Sequence, residues 1–320
     1  MSAEFELIRR HFSRPAAGVA LGVGDDAALL NVTPGLQLAV STDTLVAGAH
    51  FFVDAEPAAL GWKAAAVNLS DLAAMGARPR WLTLALTLPE VNDRWLSAFA
   101  DGFYDCIGQA GAVLVGGDTT QGPLSVTVTV MGEIEPGRAL RRDAARPGQD
   151  IWVSGELGDA ALGLAALRGQ IQPDLADQAV LLSRLTMPQP RHALGQALTA
   201  GLASACIDIS DGLLADLGHV LAASGTGAVL HWPAIPLSAA ARHFGQLAEF
   251  PTLVLAGGDD YELCFTADVA RRSDLVALAQ RLGVGLTRIG EITAAPGLQV
   301  LKEGGSEMRI AREGYVHFSA

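Results

Sequence analysis

The chain has 320 residues, of which 50% are hydrophobic and 18% charged, so its composition excludes a disordered protein and suggests about two domains of roughly 150 residues each. The formal net charge of −12, from 34 acidic and 22 basic residues, argues against a nucleic-acid partner that needs a broad basic surface. An acidic protein can still bind polyphosphates when divalent cations lie between the negative partners.

The cysteines and the N-terminus bear on the compartment. Cys106, Cys206 and Cys264 match no zinc motif and no disulfide framework, which indicates a reducing environment, and Cys206 is interpreted as core filler. The N-terminus lacks the apolar stretch of a signal peptide, and no run approaches the ~18 apolar residues of a membrane span. We therefore expect a cytoplasmic protein with no membrane partner.

Strand-like and helix-like segments alternate along both halves of the chain. In the first half we expect helices over 4–12, 57–75 and 95–110 and strands over 36–44, 81–88, 112–115 and 124–134. In the second half we expect strands over 150–154, 205–209, 228–231, 253–256 and 263–266, helices over 159–167, 213–223 and 275–282, and a helical stretch over about 174–203 broken at two prolines. The turn-rich segment 135–148 predicts the connection between the halves. The alternation predicts an α/β or α+β fold with domains over 1–137 and 138–320.

Aspartates recur at the ends of apolar segments, beside glycine or a small hydroxyl residue. The segments are GDD (24–26), STDT (41–44), NLSD (68–71), GGDT (116–119) and DISDG (208–212), with GGDD (257–260) similar to them. Ligands bind at strand ends in α/β folds, and Mg²⁺ takes carboxylate oxygens together with waters and phosphates. Asp71 or Asp211 alone could be a helix cap or an Asx turn. The set as a whole predicts a shared metal–phosphate site.

The usual phosphate-binding motifs are absent from the sequence. It contains no Walker A segment and no protein-kinase glycine-rich loop, and Lys63 and Lys302 are the only lysines. Arg142, in an arginine-rich stretch over 138–146, could clamp ATP phosphates with its two-pronged guanidinium, or the stretch could be a solvated turn. His50 lies seven residues after Asp43 and could contact substrate, or it could simply pack or cap.

In this order, the motifs resemble those of the thiamine-monophosphate kinase family over nearly the whole chain. The resemblance rests on GVGDDAALL (22–30), STDTLVAGAHF (41–51), KAAAVNLSDLAAMGARP (63–79), GGDTTQGPLSVTV (116–128), DISDGLLADLGH (208–219), GGDDYELCFT (257–266) and GYVHF (314–318). The STDTLV, NLSDLAAMGA and GGDTT segments are similar to those of a wider group of ATP-using enzymes that includes phosphoribosyl-aminoimidazole synthetase, selenophosphate synthetase and a hydrogenase maturation protein. The DISDGL and GGDDYELCFT segments indicate the thiamine-phosphate branch.

The resemblance implies a fold, a reaction and a set of site residues. It implies an N-terminal domain whose strands pair across a two-fold axis into a dimer-spanning, β-barrel-like sheet, and a C-terminal α/β domain that completes the ATP and substrate site. The implied reaction is ATP-dependent phosphorylation of thiamine monophosphate to thiamine diphosphate, with several Mg²⁺ ions and a homodimeric enzyme.

The implied metal ligands are Asp26, Ser41, Thr42, Asp43, Asp71, Asp118, Asp208 and Asp211. The implied ATP contacts are Gly117, Asp118, Arg142 and Ser210; the substrate contacts are His50, Asp259 and Tyr315; and the catalytic residues are Asp71, Asp118 and Arg142. Position 259 is usually Glu in the family pattern, and Asp259 is one methylene shorter.

Two other functions fit the same scaffold. A related ATP-dependent synthetase would activate an amide or a selenide through a phosphate intermediate, but selenide chemistry needs a reactive cysteine in an N-terminal loop and none precedes Cys106. A non-catalytic ATP- or metal-binding regulator would have lost some of the aspartates, and all of them are present. The kinase reaction itself needs no strong general base, because the acceptor phosphate, with a second pKa of about 6, is already ionised near neutral pH.

Overall fold

The computed structural model describes residues 3–14, 16, 18–310 and 314. Contacts divide the chain into two compact units. The first comprises Met1–Leu72 with Ala77–Gly137, and the second comprises Ala73–Gly76 with Arg138–Ala320. The long second helix of the chain therefore begins in the first unit, and its last turn belongs to the second.

The first unit contains one open, mixed sheet with helices. Its elements are α1 (Ala3–His11), β1 (Gln37–Val46), α2 (Pro57–Met75), β2 (Arg78–Leu88), α3 (Asp93–Gln109), β3 (Val113–Gln121) and β4 (Ser125–Ile134). The strand order is β1-β4-β2-β3; β2 and β3 run parallel, and the other two pairs run antiparallel. Because β1 and β3 lie at the two edges, the sheet does not close into a barrel within this chain.

The two faces of this sheet differ in burial. On one face, Leu84 of β2 and its partner Val128 of β4 are both buried. Threonines alternate with these residues and lie on the opposite face, as the two-residue period of a strand requires. On the threonine face β1 also presents Leu38 and Val40, which are 42% and 57% exposed. One face thus packs inside the unit, and the other is open in the single chain.

The second unit contains a larger mixed sheet surrounded by helices. Its strands are β5 (Asp150–Ser154), β6 (Cys206–Asp208), β7 (Gly227–His231), β8 (Leu263–Ala267), β9 (Leu286–Thr293) and β10 (Gly297–Leu301), in the order β10-β7-β9-β5-β8-β6. Its helices are α4 (Asp159–Leu167), α5 (Leu175–Thr186), α6 (His192–Leu198), α7 (Leu213–Ser224), α8 (Ala239–Arg242), α9 (Phe250–Ala256) and α10 (Arg272–Leu282). Among the described strand pairs of this second sheet, only β10–β7 is parallel. The carboxyl end of β6 leads directly into the DISDG segment.

The predicted strand over 253–256 is wrong, because these residues form the end of α9. A short apolar run does not distinguish a strand from a buried helix, and Pro251 in the first turn favours the helix. The prediction also missed β9 and β10. Polar residues such as Arg288 and Glu291 interrupt the apolar pattern of β9, although that strand pairs with both β5 and β7.

All three cysteines lie among the described residues, and each is free and buried. Burial raises the pKa of the Cys106 thiol to about 12 and the pKa of Cys206 well above its usual value, which fits packing roles. Across the described part of the chain, no helix combines the length and apolarity needed to cross a membrane.

Candidate active site

In the first unit, polar residues of β1 and α2 meet. The Ser41 hydroxyl donates a hydrogen bond to Asp71 Oδ2 at 2.6 Å, and the Asp43 backbone N–H donates to Asn68 Oδ1 at 2.8 Å. Asn68 and Asp71 are three residues apart on α2 and therefore lie on the same face of the helix. Asn68 is buried and its amide donates to the carbonyl of Ala64 at 3.0 Å, which holds its orientation. The structure thus brings Ser41, Asp43 and Asp71 together.

Thr42 points to the other side of the sheet. Its hydroxyl is 2.8 Å from the hydroxyl of Thr129 on β4, on the open threonine face. Side chains alternate along a strand, so Thr42 cannot share a side with both of its neighbours Ser41 and Asp43. If Thr42 contributes to a metal site beside Asp71, its backbone carbonyl is the group that can do so.

Because Ser41 and Thr42 face opposite sides of the sheet, we expect different effects on kcat when each hydroxyl is removed. We expect Ser41→Ala to lower kcat about tenfold, because the Asp71 carboxylate loses a charge-assisted hydrogen bond of about 1.5–3 kcal/mol. We expect Thr42→Val to change kcat less than about threefold, since it keeps the backbone carbonyl. Initial rates of the kinase reaction that the sequence resemblance implies, followed as ADP release at saturating substrates, measure both effects. A Thr42→Val variant as impaired as Ser41→Ala would show that the Thr42 hydroxyl is used.

Asp118 lies far from this cluster within one chain. It pairs with Ala85, which pairs with Thr127 and through it with Thr44, so all four share the open face of the sheet. From β1 to β3 there are three strand spacings, or about 14 Å. The first unit alone therefore does not bring Asp118 to Asp71. Gly117 is adjacent to Asp118 on the same edge strand.

The other two predicted residues of this unit lie in loops. Asp26 is exposed, and its backbone N–H donates to Asp25 Oδ1 at 2.9 Å. His50 lies in the turn after β1, where its Nδ1 accepts a hydrogen bond from the backbone N–H of Val46 at 3.0 Å. The neutral imidazole consequently carries its proton on Nε2, the tautomer suited to donating to a phosphate or a ring nitrogen.

In the second unit, the DISDG segment connects β6 to α7. Asp208 is buried at the end of β6, and Ser210 and Asp211 are half-buried in the connection. The backbone N–H groups of Ser210, Asp211 and Gly212 all donate to Asp216 Oδ2, at 3.0, 3.0 and 3.1 Å. Burial raises the pKa of Asp216 to about 7, the charge of Asp211 adds to the rise, and the three N–H bonds oppose it.

The GGDD segment packs directly on DISDG. The Asp259 N–H donates to the carbonyl of Ser210, and the Tyr261 N–H donates to the carbonyl of Ile209, both at 2.8 Å. Asp259 and Tyr261 have φ values of 65° and 48°, a left-handed conformation that costs a non-glycine residue roughly 1–2 kcal/mol. The structure therefore brings Asp259 beside Ser210 and Asp211, in a backbone conformation that its neighbours must maintain.

Glycine permits the DISDG segment to approach the end of α9, which leads into the GGDD segment. Gly212 has φ 118°, and a Cβ there would lie 2.7 Å from the Cα of Ala256. We expect Gly212→Ala to lower the free energy of unfolding by more than about 2 kcal/mol, because the left-handed cost and the overlap add. The matched control is Gly225→Ala, which has φ 65° but open space around the added Cβ and should cost only about 1–2 kcal/mol. Urea unfolding measures both variants, and equal losses would contradict the overlap.

Buried ionisable side chains lie at the end of the GGDD segment and directly after it. Glu262 accepts a hydrogen bond from Ser154 Oγ at 2.5 Å and a two-pronged contact from Arg191, whose Nε lies 2.6 Å from Oε2. Asp260 accepts from the Gly158 N–H at 2.9 Å, and burial raises the pKa of its carboxyl well above the usual value. Sequence reasoning assigned no role to Arg191, which lies in no motif, or to Asp216, which lies in the DISDGLLADLGH segment (208–219) but contacts the loop only through the fold.

Arg142 lies at the far end of the second unit's α7. Its side chain is exposed, and its carbonyl accepts a hydrogen bond from Ser224 Oγ at 2.9 Å. Ser224 ends the 12-residue helix that Asp211 precedes, and such a helix is about 18 Å long. The second unit therefore does not bring Arg142 to Ser210. Tyr315 lies outside the described residues.

The donor set suits a hard divalent cation. Among the described residues, no group of three or more His, Cys, Asp or Glu side chains is placed to hold a metal ion by itself. Mg²⁺ usually takes only one or two carboxylates and completes its octahedron with waters and substrate phosphates. The Ser41–Asp43–Asp71 cluster and the Asp208–Asp211 segment each offer such donors, so these residues fit an ion that binds together with a nucleotide.

Comparison with known proteins identifies the family. Residues 24–134 match the AIR synthase related protein, N-terminal domain, and residues 146–303 match the AIR synthase related protein, C-terminal domain. Thiamine-monophosphate kinase of Escherichia coli (strain K12) is 47% identical over 321 residues, which cover 99% of this chain and 98% of that protein. This chain belongs to the thiamine-monophosphate kinase family. The resemblance inferred from the motifs is confirmed.

Solved structures of the thiamine-monophosphate kinase family share the fold. The crystal structure of thiamine-monophosphate kinase from Stenotrophomonas maltophilia K279a matches with a TM-score of 0.85 at 48% identity, covering 92% of this chain and 94% of that chain. A structure described as AaThiL complexed with AMPPCP and TMP matches with a TM-score of 0.79 at 29% identity, covering 98% and 96%. The chain thus has the mixed α/β, two-domain fold of this kinase family.

Proposed function

We propose that this chain transfers the γ-phosphoryl group of ATP to thiamine monophosphate, giving ADP and thiamine diphosphate. The observation that carries the proposal is the 47% identity to the Escherichia coli enzyme over 99% of this chain. The related structure in complex with AMPPCP and TMP supports the pairing of a nucleotide with this acceptor. The domain proposed for ATP and metal binding and for dimerisation spans residues 1–137. The domain proposed to complete the ATP and substrate site spans residues 138–320.

The proposed reaction joins two polyanions, so charge repulsion is its main obstacle. The residues that would hold Mg²⁺ are Asp26, Ser41, Thr42, Asp43, Asp71, Asp118, Asp208 and Asp211. Bound Mg²⁺ supplies charge neutralisation on the transferring phosphoryl group. The Ser41 hydroxyl holds the Asp71 carboxylate in place through a hydrogen bond of 2.6 Å. Asp71, Asp118 and Arg142 are the proposed catalytic residues.

The remaining roles concern binding. Gly117, Asp118, Arg142 and Ser210 are proposed to bind ATP, with the exposed guanidinium of Arg142 free to swing onto phosphate oxygens. His50, Asp259 and Tyr315 are proposed to bind thiamine monophosphate. The Nε2–H tautomer of His50 suits a donor role, and the fixed conformation of the Asp259 loop suits selection among acceptors.

The test is mass spectrometry of the products after incubation with ATP, Mg²⁺ and thiamine monophosphate. We expect thiamine diphosphate and ADP in equal amounts, and neither when EDTA removes the divalent ions. A parallel ADP-release assay with formylglycinamidine ribotide tests the synthetase alternative. ADP release with that acceptor alone would overturn the proposal, as would nucleotide binding with no transfer to thiamine monophosphate.

We also propose a cytoplasmic homodimer. The three free, buried thiols support the cytoplasm. The open face of the first sheet and its two edge strands support a dimer in which two such sheets pair across a two-fold axis into a barrel.

The dimer makes a direct prediction for Val40. This residue is 57% exposed on the threonine face of β1, so Val40→Glu places a charge in the proposed interface and should produce monomers in sedimentation velocity. The matched control is Val91→Glu, since Val91 is 67% exposed in the β2–α3 loop. A monomeric wild-type protein, or an unaltered Val40→Glu dimer, would contradict the proposed assembly.

A further inference from the structure

The DISDG segment has its backbone donors occupied from within the protein. Three consecutive N–H groups, those of Ser210, Asp211 and Gly212, converge on a single oxygen of Asp216 at 3.0–3.1 Å. A turn at the start of a helix commonly presents such N–H groups to a bound anion. Here the Asp216 carboxylate takes that place, so these N–H groups are already satisfied before any phosphate arrives.

The carbonyl groups of the same segment are held from the other side. The Ile209 and Ser210 carbonyls accept hydrogen bonds from the N–H groups of Tyr261 and Asp259, at 2.8 Å each. Donors and acceptors of the segment's backbone are thus both fixed. The directions of the Ser210 and Asp211 side chains depend on this backbone.

Asp216 itself is not placed to touch a ligand. The residue is only 3% exposed and lies in the first turn of α7, behind the segment. We propose that Asp216 is a positioning residue that holds Ser210 and Asp211 in the geometry needed to bind magnesium–nucleotide. This inference rests on the proposed function and assigns a role to a residue that lies within the DISDGLLADLGH segment (208–219) but is not among the implied ligands.

The positioning role depends on where the acceptor oxygen lies rather than on its charge. Asp216→Asn keeps an oxygen at the same position and removes the charge. Asp216→Glu keeps the charge and moves the oxygen by one methylene, and Asp216→Ala removes the acceptor. The loss of a residue that orients metal ligands typically weakens metal binding or activity about 10- to 100-fold.

The experiment is calorimetric titration of each full-length variant with Mg²⁺ and AMPPCP, followed by the Mg²⁺ concentration for half-maximal kcat. We expect Asp216→Ala and Asp216→Glu to lower the affinity for Mg²⁺–AMPPCP about 10- to 100-fold and to raise the Mg²⁺ concentration for half-maximal kcat by a similar factor. In Asp216→Asn, both values should stay within about threefold of wild type. The control is Asp174→Ala, because Asp174 accepts backbone N–H bonds at 2.9 and 2.8 Å at the start of α5 and should leave nucleotide binding unchanged.

Each outcome decides the matter. If Asp216→Ala does not fold, as thermal unfolding would show, the Asn and Glu variants still give the answer. Binding that is weaker in Asp216→Asn than in Asp216→Glu overturns the positioning role and favours a charge effect. Wild-type affinity in all folded variants overturns it as well. Failure of the proposed kinase reaction would be seen separately, as a wild-type protein that binds Mg²⁺–AMPPCP but forms no thiamine diphosphate.

Discussion

Replacing Asp71 with Asn is expected to lower kcat by about 10³-fold while leaving the fold intact. Asparagine has the same shape, and its carbonyl oxygen can still accept the hydrogen bond from Ser41 that the carboxylate accepts at 2.6 Å. What is lost is the negative charge that a divalent cation needs from this side of the site. Because the reaction brings two polyanions together, weaker metal binding removes stabilisation where charge develops in the transition state.

Coupled ADP release with ATP and thiamine monophosphate measures the loss, and thermal unfolding checks the fold. The control is Asp101→Asn on α3, whose carboxylate pairs with Arg14 at 2.8 Å on the surface of the same unit. Exposed ion pairs of this kind contribute about 0–1 kcal/mol to stability, so Asp101→Asn should fold normally. Its kcat should not change, because Asp101 is not one of the proposed site residues. Full activity of Asp71→Asn with normal Mg²⁺ dependence would refute the role of Asp71.

Removing Arg191 is expected to destabilise the second unit by about 3–5 kcal/mol. Its guanidinium makes a two-pronged contact with Glu262, whose side chain is only 4% exposed. Arg191→Leu leaves that buried carboxylate with a hydrogen bond from the Ser154 hydroxyl but without its guanidinium partner. A buried charge without its counter-ion costs far more than the pair contributes.

Urea unfolding of Arg191→Leu and of the double variant Arg191→Leu/Glu262→Leu separates the two effects. The double variant should recover to within about 2 kcal/mol of wild type, because an apolar pair of similar volume replaces a buried ion pair at little cost. Arg141→Leu is the control, since Arg141 is 66% exposed beside Asp143 and should change stability by less than about 1 kcal/mol. A double variant less stable than the single one would contradict this account.

The sequence alone predicted the local elements well where a single period dominates. The helix over 57–75, the strand over 150–154 and the helix over 159–167 begin and end at the predicted residues. These segments carry uninterrupted apolar patterns with clear breakers at their ends, so short-range propensity is sufficient. The prediction failed at 253–256 and missed β9, because a short apolar run and a strand interrupted by polar residues are decided by what packs against them.

The amino-acid sequence by itself determined the family and the chemical character of the site, because aspartates beside glycine and small hydroxyl residues recur in an order that resembles this family of kinases. Only the tertiary structure decided which of these residues meet. It joins Ser41 to Asp71 and Asp259 to Ser210, turns Thr42 away, and separates Arg142 from Ser210 within the second unit. It also brings Asp216 into contact with the DISDG segment and Arg191 into contact with Glu262. Such pairings depend on strand register, helix length and burial, and these follow from the packing of residues far apart in the chain.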